Sequence, residues 1–163
     1  MRRRPPLEPG QEWVWDYPRP PLLEPSKRPV RIVHAGIEIA RSDRALRILE
    51  TSHPPVYYIP REDVQMALLR AAAGSSFCEW KGRASYFDLV CGDERVARAA
   101  WTYEAPVRAY AALAGHVAFY SSRVDECYVG DERVDPQAGD FYGGWITSDV
   151  VGPFKGGPGT IGW

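Results

Sequence analysis

Val30-Arg31-Ile32-Val33-His34-Ala35-Gly36-Ile37-Glu38-Ile39 is the stretch on which the fold turns. Val30, Ile32 and His34 alternate with Arg31 and Val33, the period-two pattern of a strand with one buried face. Ala35-Gly36 interrupts the alternation, Ile37 and Ile39 resume it, and the whole reads as a β-hairpin. Outward from there, Arg44 to Glu50 reads as a further strand, with Leu46 and Ile48 on one face and Arg47 and Leu49 on the other. Val56-Tyr57-Tyr58-Ile59 is a short β-prone run between prolines. Phe77 to Trp80 and Arg83 to Cys91 are strands around Lys81-Gly82, and Ala100 to Tyr103 continues extended. The turn Gly92-Asp93-Glu94-Arg95-Val96 recurs as Gly130-Asp131-Glu132-Arg133-Val134, as expected of hairpins that reuse one turn chemistry. Two short helices are predicted. One follows Pro60, where Arg61-Glu62-Asp63 place acids in the first turn and Val64, Ala67 and Leu68 recur at helical spacing before Gly74; the other spans Val107 to Ala114. The fold class is therefore mostly β (β-rich α+β), antiparallel, with one or two short helices.

Composition narrows the function. Fifteen Gly and fifteen Pro among 163 residues exceed ordinary usage of about 7% and 5%, which argues against a helical bundle. A net charge of -1 lacks the basic excess that phosphate-gripping proteins need, so no nucleic-acid partner is expected. No apolar run is long enough to span a membrane, and Met1-Arg2-Arg3-Arg4 leads into Pro5-Pro6 rather than an apolar segment, so a cytoplasmic location is expected. Cys78, Cys91 and Cys127 are odd in number and form no C-x-x-C pair, which predicts no disulfide framework, no metal and no cofactor. Three regions are predicted. Residues 1–29 form a Pro-rich arm whose Trp13, Val14, Trp15 and Tyr17 pack on the domain or on a second subunit, the latter making a homodimer. Residues 30–134 form the core β domain, and 135–163 a Gly/Pro-rich tail packed on it.

A set of motifs then brings a family into view. Glu50, Pro55-Val56-Tyr57-Tyr58-Ile59-Pro60, Cys78-Glu79-Trp80-Lys81-Gly82 with Ala84 and Tyr86, Ala100-Trp101-Thr102-Tyr103 with Pro106, and Val117-Ala118-Phe119-Tyr120 occur in this order. Together they resemble the domain of unknown function 427 family, sometimes labelled nucleotidyltransferase-like. Val14-Trp15-Asp16-Tyr17-Pro18-Arg19-Pro20 and the Gly-rich tail resemble its actinobacterial-type members. The resemblance implies antiparallel sheets of the Mss4-like, or β-tent, type. Relatives on that fold bind zinc through two C-x-x-C pairs, which this chain lacks. The nucleotidyltransferase label finds no support in the residues, since carboxylates are spread singly and no G-x-x-x-x-G-K-[ST] cradle exists.

Within those motifs, Cys78, Lys81, Glu50 and Tyr86 are the candidates for chemistry. Cys78 reads either as a nucleophile beside Lys81, with His53 or His116 as base, or as a half-buried structural thiol. Lys81 either snorkels over aromatic faces or holds a ligand anion, with Glu50 as the acid opposite it. Tyr58, Trp80, Lys81, Tyr86, Trp101 and Tyr103 are expected to line a ligand pocket with hydroxyls turned inward. His34, His53 and His116 lack metal spacing and read as turn or core histidines. The expected function is binding of a small, anionic molecule in an aromatic-lined pocket, with weak catalysis at most. The alternative is a non-catalytic interaction or dimerisation module built on the arm and on Phe141, Tyr142, Trp145 and Trp163.

Overall fold

A computed structural model describes residues 2–163; Met1, the first residue of the expected arm, lies outside them. The strands in chain order are β1 (Glu12–Trp13), β2 (Leu22–Pro25), β3 (Val30–His34), β4 (Ile37–Ser42), β5 (Leu46–Leu49), β6 (Val56–Pro60), β7 (Leu69–Cys78), β8 (Gly82–Cys91), β9 (Glu94–Thr102), β10 (His116–Phe119), β11 (Glu126–Val129), β12 (Glu132–Arg133), β13 (Asp135–Pro136), β14 (Trp145–Ile146) and β15 (Val150–Val151). The hairpin that opens the argument is present as β3–β4. His34 faces Ile37 across a two-residue turn in which Ala35 (φ 51°) and Gly36 (φ 74°) both adopt the left-handed conformation that matches strand twist. Val30, Ile32 and His34 point inward and Arg31 and Val33 are half-buried, as the alternation requires.

Two antiparallel sheets carry the architecture. One has four strands in the order β12-β11-β3-β4; the other has seven, β2-β5-β6-β10-β9-β8-β7. Strand alternation splits the larger sheet into two faces. Tyr57, Ile59, Leu89, Ala100, Val117 and Phe119 join Ile32, Ile39 and Val129 of the smaller sheet in the principal core, capped by Trp145. Their sequence neighbours Tyr58, Trp101 and Ala118 lie on the opposite face, with Tyr86, Tyr103 and Tyr120. The principal core is thus sealed between sheets, and the aromatic face is left for something else to cover.

The helix expected after Pro60 is not formed. Arg61–Asp63 and Met66–Leu68 are single 3-10 turns, and Leu69–Cys78 is the edge strand β7. Only Val64 and Leu69 of this segment are buried, so a helix there would have had almost no apolar face to seat. Pairing with the ten-residue β8, from Leu69↔Leu89 to Cys78↔Gly82, satisfies the backbone instead. The second expected helix is a 3-10 segment, Arg108–Leu113, kinked at Tyr110. Among the described residues no helix is long and apolar enough to cross a membrane.

Two strands of the expected arm, β1 and β2, are built into sheets. Glu12–Trp13 pairs in parallel with Val150–Val151, and β2 forms the outer strand beside β5. Trp13, Val14 and Tyr17 are buried by this chain itself; the Trp13 and Trp15 indoles donate to the carbonyls of Gly152 (3.2 Å) and Pro153 (2.9 Å). Arg47, 8% exposed, clamps the arm by donating to Glu12 at 3.0 and 2.8 Å and to Glu24 at 2.8 Å. Burial opposes ionisation of Glu12, but the hydrogen bonds from Arg47 and Tyr17 and the charge of Arg47 outweigh it and hold the carboxyl below its ordinary pKa.

Candidate functional site

The aromatic face of the seven-stranded sheet encloses a cavity of about 260 Å³. Tyr58, Tyr86, Trp101, Tyr103 and Tyr120 rise from β6, β8, β9 and the strand ends just beyond. Cys78, Trp80 and Lys81 come from the β7–β8 hairpin, whose position is fixed by the Val107 N–H donating to the Lys81 carbonyl at 2.8 Å. Gly82 next to it has φ +111°, a conformation closed to side-chain-bearing residues. Glu50 and His53 approach from the end of β5, and Gln137, Phe141, Tyr142 and Lys155 from the tail. All eight residues singled out in the sequence, Glu50, Tyr58, Cys78, Trp80, Lys81, Tyr86, Trp101 and Tyr103, border this one space.

The aromatic rings brace one another. Trp101 packs on Tyr120 with centroids 4.5 Å apart and meets Tyr58 edge-on at 6.2 Å. Tail backbone lies directly over the indole: a Cβ on Gly143 would sit 2.3 Å from the Trp101 ring. The Tyr86 hydroxyl pairs with Ser76 Oγ at 2.7 Å, and Tyr120 donates to the Phe141 carbonyl at 2.9 Å. Burial pushes the Tyr58, Tyr103 and Tyr120 phenols well above their ordinary pKa, so they remain protonated hydrogen-bond donors.

The expected Glu50–Lys81 pair is not made. Glu50 Oε2 lies 3.7 Å from Arg19 Nε and 3.7 Å from His53 Nε2, because the arm delivers Arg19 to the end of β5. Lys81 is 9% exposed and makes no ion pair or hydrogen bond among the described residues; its Nζ lies 5.8 Å from the centre of the Tyr103 ring. Cys78 is half-buried on the wall and, among the described residues, makes no hydrogen bond to a histidine. His116 is turned to the Ala114 carbonyl, and His34 is held between Glu94 and Asp125. A Cys–His pair is therefore not assembled here.

His53, read from the sequence as a turn or core histidine, is 7% exposed and borders the cavity. Its ring meets Tyr142 edge-on at 4.7 Å, and its Nδ1 takes a 3.0 Å hydrogen bond from Gln137. Burial, with the charges of Lys155, Arg19 and Lys81, pulls its pKa down to about 4. Gln137 and Lys155 were missed, and Tyr142 was assigned to an interaction surface, because they lie far from the motif residues in sequence, in a tail whose Gly and Pro content carries no periodic signal. Among the described residues no group of three His, Cys, Asp or Glu side chains is placed to hold a metal ion.

A comparison with curated proteins returned no match. Residues 22–130, more than half of the chain, match the family described as a domain of unknown function (DUF427), a span that holds the sheet-borne walls of the cavity and stops short of the tail that roofs it. The chain belongs to the DUF427 family.

Proposed function

We propose that this domain binds a small planar organic molecule carrying an anionic group in the aromatic cavity. The observation that carries the reading is Lys81, an ammonium nine-tenths buried on the cavity wall that makes no ion pair or hydrogen bond among the described residues. Charge in such a place is tolerated when something anionic or a set of acceptors completes it. The flat walls of Tyr58, Trp101 and Tyr103 favour a planar body, and 260 Å³ lies below the usual range of about 300–1,000 Å³ for drug-sized ligands.

Binding, rather than catalysis, is the better-supported reading, because Cys78 lacks a base. An interaction surface made of Trp13, Trp15, Tyr17, Phe141, Tyr142, Trp145 and Trp163 has less support, since this chain buries Trp13, Tyr17 and Trp145 itself and leaves only Phe141 of the set exposed. The Mss4-like, β-tent arrangement belongs to the same proposal, supported by two antiparallel sheets that share one core. So does a cytoplasmic location, supported by three free thiols. Native mass spectrometry of the freshly purified protein tests the binding reading. A bound small anion is expected, and its retention by a Lys81→Met variant would count against the assignment.

A further inference from the structure

Lys81 Nζ and His53 Nε2, on residues that line the cavity, make no hydrogen bond among the described residues. What each offers a ligand differs, and Gln137 determines the second. The Gln137 Oε1 accepts from the Gly144 N–H at 3.0 Å, which fixes the orientation of its amide. Its Nε2 then donates to the Lys155 carbonyl at 2.7 Å and to His53 Nδ1 at 3.0 Å. A reversed amide would set oxygen against that carbonyl and nitrogen against an N–H. Nδ1 therefore accepts, and the neutral imidazole carries its proton on Nε2, the atom turned towards Glu50 and the cavity. Glu50 Oε2, at 3.7 Å, is too distant to take that hydrogen in a hydrogen bond.

Resting on the binding reading above, we infer that the ligand is a planar monocarboxylate whose carboxylate is held jointly by the Lys81 ammonium and the neutral Nε2–H of His53, with Gln137 as the positioning residue that sets the tautomer. The lining supplies donors, Nε2–H, the ammonium and the phenols of Tyr58 and Tyr103, beside two carboxylates, of which Glu50 is turned to Arg19 and His53 and Glu79 lies on the β7–β8 hairpin. A group that only accepts fits those donors. One negative charge is the complement, because the other cations near His53 are engaged: Arg19 faces Glu50, and Lys155 Nζ donates to the Trp163 carbonyl at 3.0 Å. The groups around the ring are Glu50, Arg19, Lys81, Lys155 and the Tyr142 ring. With its pKa near 4, His53 stays neutral across pH 5.5–8, so it serves as a donor and not as a base.

The test uses the full chain in two measurements. Nitrogen-15 NMR of the histidine side chains in the absence of ligand is expected to show His53 protonated on Nε2; protonation on Nδ1 overturns the inference whatever the cavity binds. Titration with benzoate and with benzamide is then followed by the emission of Trp80 and Trp101, which line the site. Benzoate is expected to bind at least about tenfold more tightly than benzamide, with affinity flat between pH 5.5 and 8. His53→Phe and Lys81→Met should each weaken benzoate by about tenfold or more while remaining folded in thermal melts. Gln137→Glu, whose carboxylate would accept from Nδ1–H and strip Nε2 of its proton, should do the same and move the NMR signature with it. Equal binding of the two probes, or full affinity in His53→Phe, refutes the carboxylate assignment and leaves the cavity reading standing. Failure of both probes to change the emission at millimolar concentration would instead bring down the binding reading.

Discussion

Replacing Lys81 with Met should stabilise the empty protein while removing its capacity to bind anions. The lysine side chain is 9% exposed and is without an ion pair or hydrogen bond among the described residues, so folding strips most of its water and returns little. Leaving a buried polar group unsatisfied costs about 1–3 kcal/mol, and more for a charge. Water in the cavity offsets part of that, so the lower half of the range, about 1–2 kcal/mol, is the expected gain on substitution by an uncharged side chain of similar length. For a chain of this size each kcal/mol moves the melting temperature by about 2–4 °C, so Lys81→Met should melt about 2–8 °C above the parent. Trp101→Ala supplies the contrast: the ring is 6% exposed and packed on Tyr58 and Tyr120, and its removal should lower stability by about 3–5 kcal/mol. Differential scanning calorimetry of the three proteins at one pH, without added ligand, decides the matter. A Lys81→Met variant that melts well below the parent would mean that the ammonium holds the hairpin together, and the ligand-site reasoning would fail.

Arg47→Leu leaves Glu12 and Glu24 without the cation they share, Glu12 keeping only its bond from Tyr17, so it should cost about 3–5 kcal/mol and expose residues 12–25 to limited proteolysis; an unaltered digestion pattern would show that the arm is held by other means. Ser52 combines φ +73° with a fully buried hydroxyl that has no partner, so Ser52→Gly should raise stability by about 1 kcal/mol in urea titrations, and a lowered midpoint would contradict this. His53 supplies a pH dependence. Its pKa is about 4 in the folded protein against 6.5 unfolded, so above pH 6.5 it is neutral in both states. As the pH falls from 6.5 to 4 the unfolded chain binds a proton that the native state refuses, and about 3 kcal/mol of stability is lost. His53→Gln should flatten the stability curve in that window, and an unchanged slope would show that the ring is accessible to protons.

The antiparallel strands and hairpins were legible because Val30 to Ile39 carries the period-two pattern of strands with one buried face, and Val56 to Ile59 is a β-prone run between prolines. The misread segment, 61–74, shows the limit of local signals. Ala67, Leu68 and the run Ala71-Ala72-Ala73 favour a helix on propensity, but the partner strand β8, which overrides it, lies beyond a hairpin and writes nothing into those residues. The cavity divides in the same way. Its sheet-borne wall was readable because alternation places Tyr58 and Trp101 on one face and the motifs already grouped them. Its roof was not, because Gln137 reaches His53 by one hydrogen bond and Lys155 is tied in through Gln137, both on a tail with no repeating pattern. Likewise, Glu50 was a reasonable acid for Lys81 until the arm placed Arg19 beside it.

The parallel pairing of Glu12–Trp13 with Val150–Val151 has a kinetic consequence. Its partners lie at opposite ends of the chain, so its loop closure is among the most entropically demanding steps of assembly and must follow formation of the local hairpins. The same stretch of chain that closes it also carries Gln137, Tyr142, Gly143 and Lys155 over the aromatic wall. The sheets can therefore be complete while the binding site is not, and competence is acquired at the final stage of folding. A ligand that needs the tail in place holds it closed in return, so amide exchange along residues 137–155 should slow when the cavity is filled.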